Sequence, residues 1–317
     1  MKILSGLVSI LTISNIRLTV AKEMSTTAAL TDNGIMEQVR EIVPKLSNDR
    51  HKGQAGRIGI VGGSKEYTGA TYFSAISALK VGADLVHVFC TKAAAPVIKS
   101  YSPEPIVHPL LDSENAVKEI EPWLDRLHVI LIGPGLGREP ETLATVAELV
   151  KLCRRLNKPL VFDADGLWLI SQDKSLIRDY PRAILTPNVA EFTRLFGDEV
   201  DAKMKDLGRD ITIVEKGFKD RIYNSTNGAV PYECPSGGSG RRCGGQGDLM
   251  SGAVATFYHW SLDAKHSNAA FLASYGGGFL TKKCNEYAFA LKGRSMTTSD
   301  MIEQIHRVFD EFFENKD

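Results

Sequence analysis

The sequence predicts an α/β fold: a largely parallel central sheet covered by helices on both faces, built as a single domain. Three observations carry this reading. Short apolar runs alternate with segments of helical periodicity from Arg57 to Lys216. The runs close on glycine-rich or polar turns, as strands feeding helices do. Their apolar residues are consecutive rather than alternating, the pattern of strands buried on both faces. With 43% hydrophobic and 24% charged residues in 317, the chain has material for one large core and is neither disordered nor collagenous. It has no linker-like break in composition and no internal repeat.

The elements follow in order. Residues 57–61 (Arg-Ile-Gly-Ile-Val) form a strand ending in Gly62-Gly63-Ser64, and Gly69 to Val81 has small and apolar residues at helical spacing. Asp84 to Cys90 is β-rich. Val129 to Ile132 closes on Gly133-Pro134-Gly135-Leu136-Gly137, and Glu139 to Leu156 is a long amphipathic helix. Leu160 to Phe162 ends at Asp163-Ala164-Asp165-Gly166, and Ala183 to Leu185 precedes Thr186-Pro187-Asn188 and a helix reaching Phe196. Ile211 to Val214 ends at Lys216-Gly217. An antiparallel pair, 220–225 and 229–233, then turns around Thr226-Asn227-Gly228. A glycine-rich loop, 236–247, leads into three helices at about 248–260, 265–281 and 298–314. In a sheet of this kind ligands bind beyond the carboxyl ends of the strands, where these turns lie.

Composition narrows the function. Thirty-eight Lys plus Arg balance 38 Asp plus Glu, which argues against a nucleic-acid partner. The five cysteines include no CxxC pair, and the seven histidines no HxH or HxxxH spacing, so neither a zinc site, a disulfide framework nor a histidine-metal site is expected. Residues 1–30 read as a leader outside the fold. Lys2 precedes the uncharged run Ile3 to Ile16, then Arg17 and Lys22 follow, and no acid appears before Glu23. That run is too short to span a bilayer, which takes roughly 20 apolar residues. It suits a mitochondrial transit peptide and also a secretory signal. A start at Met24 would give a cytoplasmic form, and residues 31–317 would be the folded domain.

The strongest chemical signal is Gly237-Gly238-Ser239-Gly240-Arg241-Arg242-Cys243-Gly244-Gly245-Gln246-Gly247-Asp248, running into the helix-like stretch Leu249 to Trp260. A glycine loop feeding a helix aims backbone N–H groups at an anion, and the helix N-terminus adds partial positive charge. Asp248 would face the same pocket from the first turn; the same residues also suit a flexible loop with Asp248 as an ordinary N-cap. The loop is not a Walker A motif, since the chain has no Gly-Lys dipeptide. Nor is Gly133 to Gly137 a dinucleotide fingerprint: its third glycine falls one place early, with Arg138 where it should be.

Seven segments stand in register: Lys52-Gly53-Gln54-Ala55-Gly56; Gly62-Gly63-Ser64 with Tyr67-Thr68-Gly69-Ala70; Gly133 to Gly137; Asp163-Ala164-Asp165-Gly166-Leu167; Thr186-Pro187-Asn188 with Glu191-Phe192; Lys216-Gly217; and Gly244 to Asp248. Together they resemble the ATP- or ADP-dependent NAD(P)H-hydrate dehydratases of the ribokinase-like superfamily, in wording closest to the eukaryotic, ATP-using branch. The resemblance covers residues 35–315. It implies a three-layer α/β/α sandwich and small-molecule partners only: ATP with Mg²⁺, and the (S)-epimer of hydrated NADH or NADPH. Neither nucleic acid nor membrane is implied, and homo-oligomerisation stays open.

Roles follow from the resemblance residue by residue. Asp248 matches the catalytic base and also borders the substrate. Gly244, Gly245, Gln246 and Gly247 would hold the transferring phosphoryl group. The nucleotide would lie against Lys216, Gly217, Phe218, Lys219 and Asp220, and against Gly238, Ser239, Gly240, Arg241, Arg242 and Cys243. Phe218 and Lys219 depart from the family's usual wording, so backbone is the better source of contact there. Arg241 and Arg242 would clamp phosphates or be solvated loop arginines. The substrate would meet Gly137 and the run Asn188, Val189, Ala190, Glu191, Phe192, Thr193 and Arg194. The resemblance also implies that Asn188 and Glu191, three apart at a helix start, support Mg²⁺ and phosphate; the same spacing suits a capping box. Asp163 and Asp165 at a strand end would cap the next helix or border the site. The alternative enzyme reading is a ribokinase-like kinase of a small hydroxylated vitamin precursor; the non-enzyme reading is a nucleotide-binding regulator without turnover.

Overall fold

The computed structural model describes residues 32–235 and 237–314. The leader expected at 1–30 lies outside them. The described residues divide into two units between Glu37 and Gln38, within the helix Asp32–Ile42. The second unit carries everything below.

Among the described residues nine strands form one sheet: β1 (Arg57–Val61), β2 (Leu85–Phe89), β3 (Ile106–His108), β4 (Val129–Ile132), β5 (Leu160–Phe162), β6 (Ala183–Leu185), β7 (Thr212–Glu215), β8 (Arg221–Asn224) and β9 (Tyr232–Glu233). Their order is β3-β2-β1-β4-β5-β6-β7-β8-β9. The first seven run parallel; β8 and β9 add an antiparallel edge. β4, β5 and β6 are buried at every residue, which is why their sequences show no alternation. Helices Ala116–Leu124, Pro140–Arg155, Ala164–Gln172 and Val189–Phe196 contribute to the large apolar cluster on one face. Thr68–Val81, Gln246–Asp263 and Ala269–Lys292 pack together on the other. The fold is the expected three-layer sandwich.

Several elements differ from the sequence reading. β3 and the helices Ala95–Tyr101 and Ala116–Leu124 were not foreseen; β3 is only three residues long and partly exposed. The hairpin forms, but its second strand shrinks to Tyr232–Glu233, and β8 also pairs antiparallel with β7. The expected 265–281 helix starts at Ala269 and runs to Lys292. Its three central glycines do not stop it, because a Cβ at Gly277 would come 2.5 Å from Val254 on the neighbouring helix; they let the two helices touch. The expected 298–314 helix is two, Thr298–Glu303 and Ile305–Phe312, since the Gln304 N–H bonds back to the Met301 carbonyl and closes the first.

Strand order reverses at β1, where β2 lies on one side and β4 on the other. A crevice opens beyond such a reversal, because the connections leave to opposite faces. Here it is bordered by Gly62-Gly63-Ser64 after β1 and Gly133 to Gly137 after β4. The carboxyl ends of β5, β6 and β7 continue the same edge with Asp163, Asn188 and Lys216. Among the described residues no helix is long and apolar enough to cross a membrane.

Candidate active site

The glycine loop meets the sheet edge through its backbone. Gly245 is the N-cap of the helix Gln246–Asp263 at φ +96°, a conformation open to glycine and strained for any other residue. A Cβ there would also press on the Phe73 ring at 2.6 Å. Asp248 is therefore the third residue of the helix and makes no capping bond, so its N-cap reading fails. The loop is pinned from behind: Asn285 Oδ1 accepts from the Ser239 N–H (2.6 Å) and hydroxyl (2.8 Å), and the Thr298 hydroxyl donates to the Gly244 carbonyl (2.7 Å). Gln246 Nε2 donates to the Arg241 carbonyl at 3.1 Å.

Lys216 is the electrostatic centre. It follows β7, its N–H donates to the Pro187 carbonyl, and an isolated parallel bridge joins it to Asn188. Its Nζ donates to Asp163 Oδ1 at 2.6 Å with both side chains largely buried. Gly247 comes so close that a Cβ on it would lie 3.0 Å from that Nζ. Burial alone would lower the Lys216 pKa, but Asp163, Glu191 and Asp248 more than reverse this and raise it. The lysine stays charged.

Asp248 responds in the opposite sense. Burial pushes its carboxyl up to about 8; Asp163 and Glu191 add to the rise and Lys216 opposes it. Glu191 is likewise raised, by burial first, with Lys216 pulling it back. Three carboxylates thus share one buried ammonium, and the one at the loop is tuned to hold or release a proton near neutrality. That is the property a general base needs.

Asn188 and Glu191 do form the capping box of Val189–Phe196: Glu191 N–H donates to Asn188 Oδ1 (3.0 Å) and Asn188 N–H to Glu191 Oε2 (2.8 Å). Capping and site membership are compatible, because the cap places Glu191 within electrostatic reach of Lys216.

A cleft of about 360 Å³ lies between the loop and the strand ends. Of the nucleotide candidates, Lys216, Gly217, Asp220, Gly238, Arg242, Cys243, Gln246 and Gly247 line it. Ser239, Gly240, Arg241, Gly244 and Gly245 build the loop without lining the cleft. Neither Phe218, 63% exposed, nor Lys219, paired with Glu233, lines it either. Asp220 accepts the Gly217 N–H at 2.9 Å and pairs with Lys282 at 3.0 Å, so it shapes the turn.

Of the substrate candidates, Asn188 lines the cleft, while Gly137 donates its N–H to Asp165 Oδ2 at 3.1 Å in the neighbouring crevice. Val189, Ala190 and Thr193 are exposed on their helix, and Arg194 lies over the Trp168 ring, 5.3 Å from its centre. The Phe192 side chain is buried beside Phe196 and Tyr223, which leaves only its backbone to meet a ligand.

The sequence reading left Lys282, Asn285, Thr281, Gly278 and Met250 out of the site, though all line the cleft. Lys282 Nζ donates to the Gly217 and Phe218 carbonyls (2.7 and 3.1 Å) and locks the turn after β7. The available signal was Lys282 and Asn285 three apart in a mostly apolar helix, hence on one face.

A family model described as NAD(P)H-hydrate dehydratase matches residues 58–307, nearly the whole described chain. The chain belongs to that family. An ATP-dependent (S)-NAD(P)H-hydrate dehydratase of Aedes aegypti is 65% identical over 286 residues, 89% of this chain and 86% of the mosquito protein. The human protein of the same name is 49% identical over 296 residues, 88% and 84% of the two chains. Among solved structures, a ribokinase-like superfamily protein from Enterococcus faecalis superposes with a TM-score of 0.74 at 21% identity, covering 88% of this chain and 95% of that one. The ADP/ATP-dependent NAD(P)H-hydrate dehydratase of Bacillus subtilis, co-crystallised with ATP and Mg²⁺, gives 0.64 at 22% identity, covering 87% and 97%. These two establish the ribokinase-like fold.

Proposed function

We propose that this chain is an ATP-dependent hydro-lyase that repairs the (S)-epimer of hydrated NADH and NADPH. The observation that carries the reading is the position of Asp248, on the third residue of the helix that leaves the glycine loop and within electrostatic reach of Lys216. The substrate has gained water across the C5–C6 double bond of its dihydropyridine ring, and hydroxide is a poor leaving group. Asp248 takes the proton of the C6 hydroxyl as its oxygen attacks the γ-phosphorus of ATP and the bond to ADP breaks. The N–H groups of Gly244 to Gly247 and the helix N-terminus meet the charge on the transferring group, and Lys216 supplies a fixed positive charge beside it. The ring nitrogen lone pair then expels phosphate with the C6–O electrons, and loss of a C5 proton restores the double bond. The products are NADH or NADPH, ADP and phosphate.

Among the described residues no cluster of three or more His, Cys, Asp or Glu could hold a metal ion. Mg²⁺ needs no such cage: one or two carboxylates plus phosphate oxygens and water suffice. The hard oxygen donors of Glu191 and Asp163 beside the loop fit that requirement. When bound with ATP, Mg²⁺ would neutralise its β- and γ-phosphates.

The deciding assay mixes purified protein, hydrated NADH, ATP and Mg²⁺. Dihydronicotinamide absorbance should return with one phosphate released per turnover. A stable phosphoester without phosphate release would favour the small-molecule kinase instead. Arg194→Ala should raise KM for the hydrated cofactor about tenfold, the scale of one lost charge-assisted hydrogen bond, and leave KM for ATP unchanged. A matching rise for ATP would remove Arg194 from the substrate side. Residues 1–30 act in this reading as a mitochondrial targeting leader. A fluorescent fusion of the full chain should enter mitochondria and one starting at Met24 should stay cytoplasmic; secretion of the former would make the leader a signal peptide.

A further inference from the structure

Two arginines from different elements converge on one tryptophan beside Gly137. Arg138 follows the turn after β4, and its guanidinium carbon lies 4.2 Å from the centre of the Trp168 ring. Arg194, from the helix Val189–Phe196, lies 5.3 Å from the same centre. An aromatic face orients a guanidinium flat while leaving its N–H edges free to donate. Asp165 fixes the assembly: one oxygen accepts from Arg138 Nε at 2.8 Å and the other from the Gly137 N–H at 3.1 Å. Arg138 thus spends one donor and keeps its terminal nitrogens, with half its side chain exposed. The Arg194 guanidinium has no hydrogen bond or ion pair among the described residues. Asp165 pairs with Arg138 and Glu191 lies within electrostatic reach of Arg194, so two guanidiniums face two carboxyl groups, with guanidinium edges left open to donate.

Its position points to the ligand. Trp168 lies five residues along its helix from Asp163, and Arg194 six along its own from Asn188. Both helices start at the strand-end edge, capped by Asp163 and Asn188, so the assembly stands beyond the same edge as the Lys216 centre. A dinucleotide with its reacting ring at Asp248 carries its phosphates away from that ring, toward a neighbouring part of the same edge.

We infer that Arg138, held with Arg194 on the Trp168 ring, binds a phosphate of the hydrated dinucleotide. The inference rests on the proposed function for its ligand. Two phosphates share this chemistry: the pyrophosphate bridge of both hydrates, and the 2′-phosphate carried only by hydrated NADPH. Planar, two-pronged donation to phosphate oxygens is what a guanidinium provides and an ammonium does not.

The test uses the full chain and Arg138→Gln, an exposed substitution that removes charge but keeps a polar side chain. With the ATP site filled by a non-hydrolysable ATP analogue, calorimetry measures binding of ADP-ribose and of its 2′-phosphorylated form. Steady-state kinetics with each hydrate run in parallel. Loss of about 10- to 100-fold in affinity for both probes, with KM raised and kcat kept for both hydrates, supports the inference and assigns the pyrophosphate. Loss confined to the 2′-phosphorylated probe and hydrated NADPH supports it and assigns the 2′-phosphate. Unchanged affinities, failure of the unsubstituted protein to bind either probe, or a fall in kcat with KM unchanged overturns it; the last would make Arg138 merely a brace for Asp165 and Gly137. Absence of hydrate turnover by the unsubstituted protein would instead reject the proposed function.

Discussion

Asp248→Asn should reduce turnover by about 10²- to 10⁴-fold, the contribution of a positioned general base, while leaving the fold intact. The side chain makes no capping bond, because Gly245 is the N-cap and offers none. Nothing is lost at the helix start, and the thermal midpoint should hold or rise. ATP affinity should be kept near neutral pH, where the Asp248 carboxyl is mostly protonated, and improve above pH 8, where the substitution removes a negative charge beside the triphosphate. Thermal melts, ATP titration and phosphate release measured on one preparation separate the possibilities. Turnover near that of the unsubstituted protein would remove Asp248 from the chemistry.

The same substitution has a signature in pH. A base works only when deprotonated, and burial pushes the Asp248 carboxyl up to about 8. In the free enzyme the active carboxylate is therefore lost as pH falls through that value. The ratio kcat/KM should drop about tenfold per pH unit on the acid side of pH 8. Asp248→Asn should flatten this limb along with the rate. A limb that survives the substitution belongs to another group.

The sequence carried the parts of this site that are local and left those that are not. Gly245, Gln246, Gly247 and Asp248 are contiguous, so a glycine loop feeding a helix is legible within four residues, whereas the left-handed cap at Gly245, which displaces Asp248 from the N-cap position, is not. Asn188 and Glu191 were readable for the same reason, since a capping box is a spacing of three. The Lys216–Asp163 pair joins residues 53 apart on the ends of two strands that are not neighbours in the sheet. Such a pair leaves no periodicity, so the two residues were seen as motif members but not as partners. Lys282 lies 65 residues beyond the Gly217 carbonyl it holds and was missed entirely. Three-residue β5 and β6 were legible because every residue is apolar and buried, whereas β3, of the same length but partly exposed, was not, and β9 keeps only two residues of the run read as 229–233.

Lys216→Met tests whether one ammonium holds the carboxylates together. The side chain is mostly buried and bonded to Asp163 at 2.6 Å, with Glu191 and Asp248 close enough to raise its pKa. Removing it strands Asp163, a carboxylate only 3% exposed. Breaking a buried pair from one side costs roughly 3–5 kcal/mol, which in a domain of this size lowers the thermal midpoint by roughly 6–20 °C. The sign on Asp248 follows: Lys216 holds that carboxyl down, so without it the acid limb of any residual kcat/KM should move to higher pH. Turnover should fall at least 100-fold through the lost phosphate-side charge. The double variant Lys216→Met with Asp163→Asn separates the two effects. It should regain much of the thermal midpoint, because the stranded carboxylate is gone, yet stay as slow as the single variant. Recovery of turnover along with stability would reduce Lys216 to a structural partner of Asp163, and failure to regain stability would show that the two do not act as a pair.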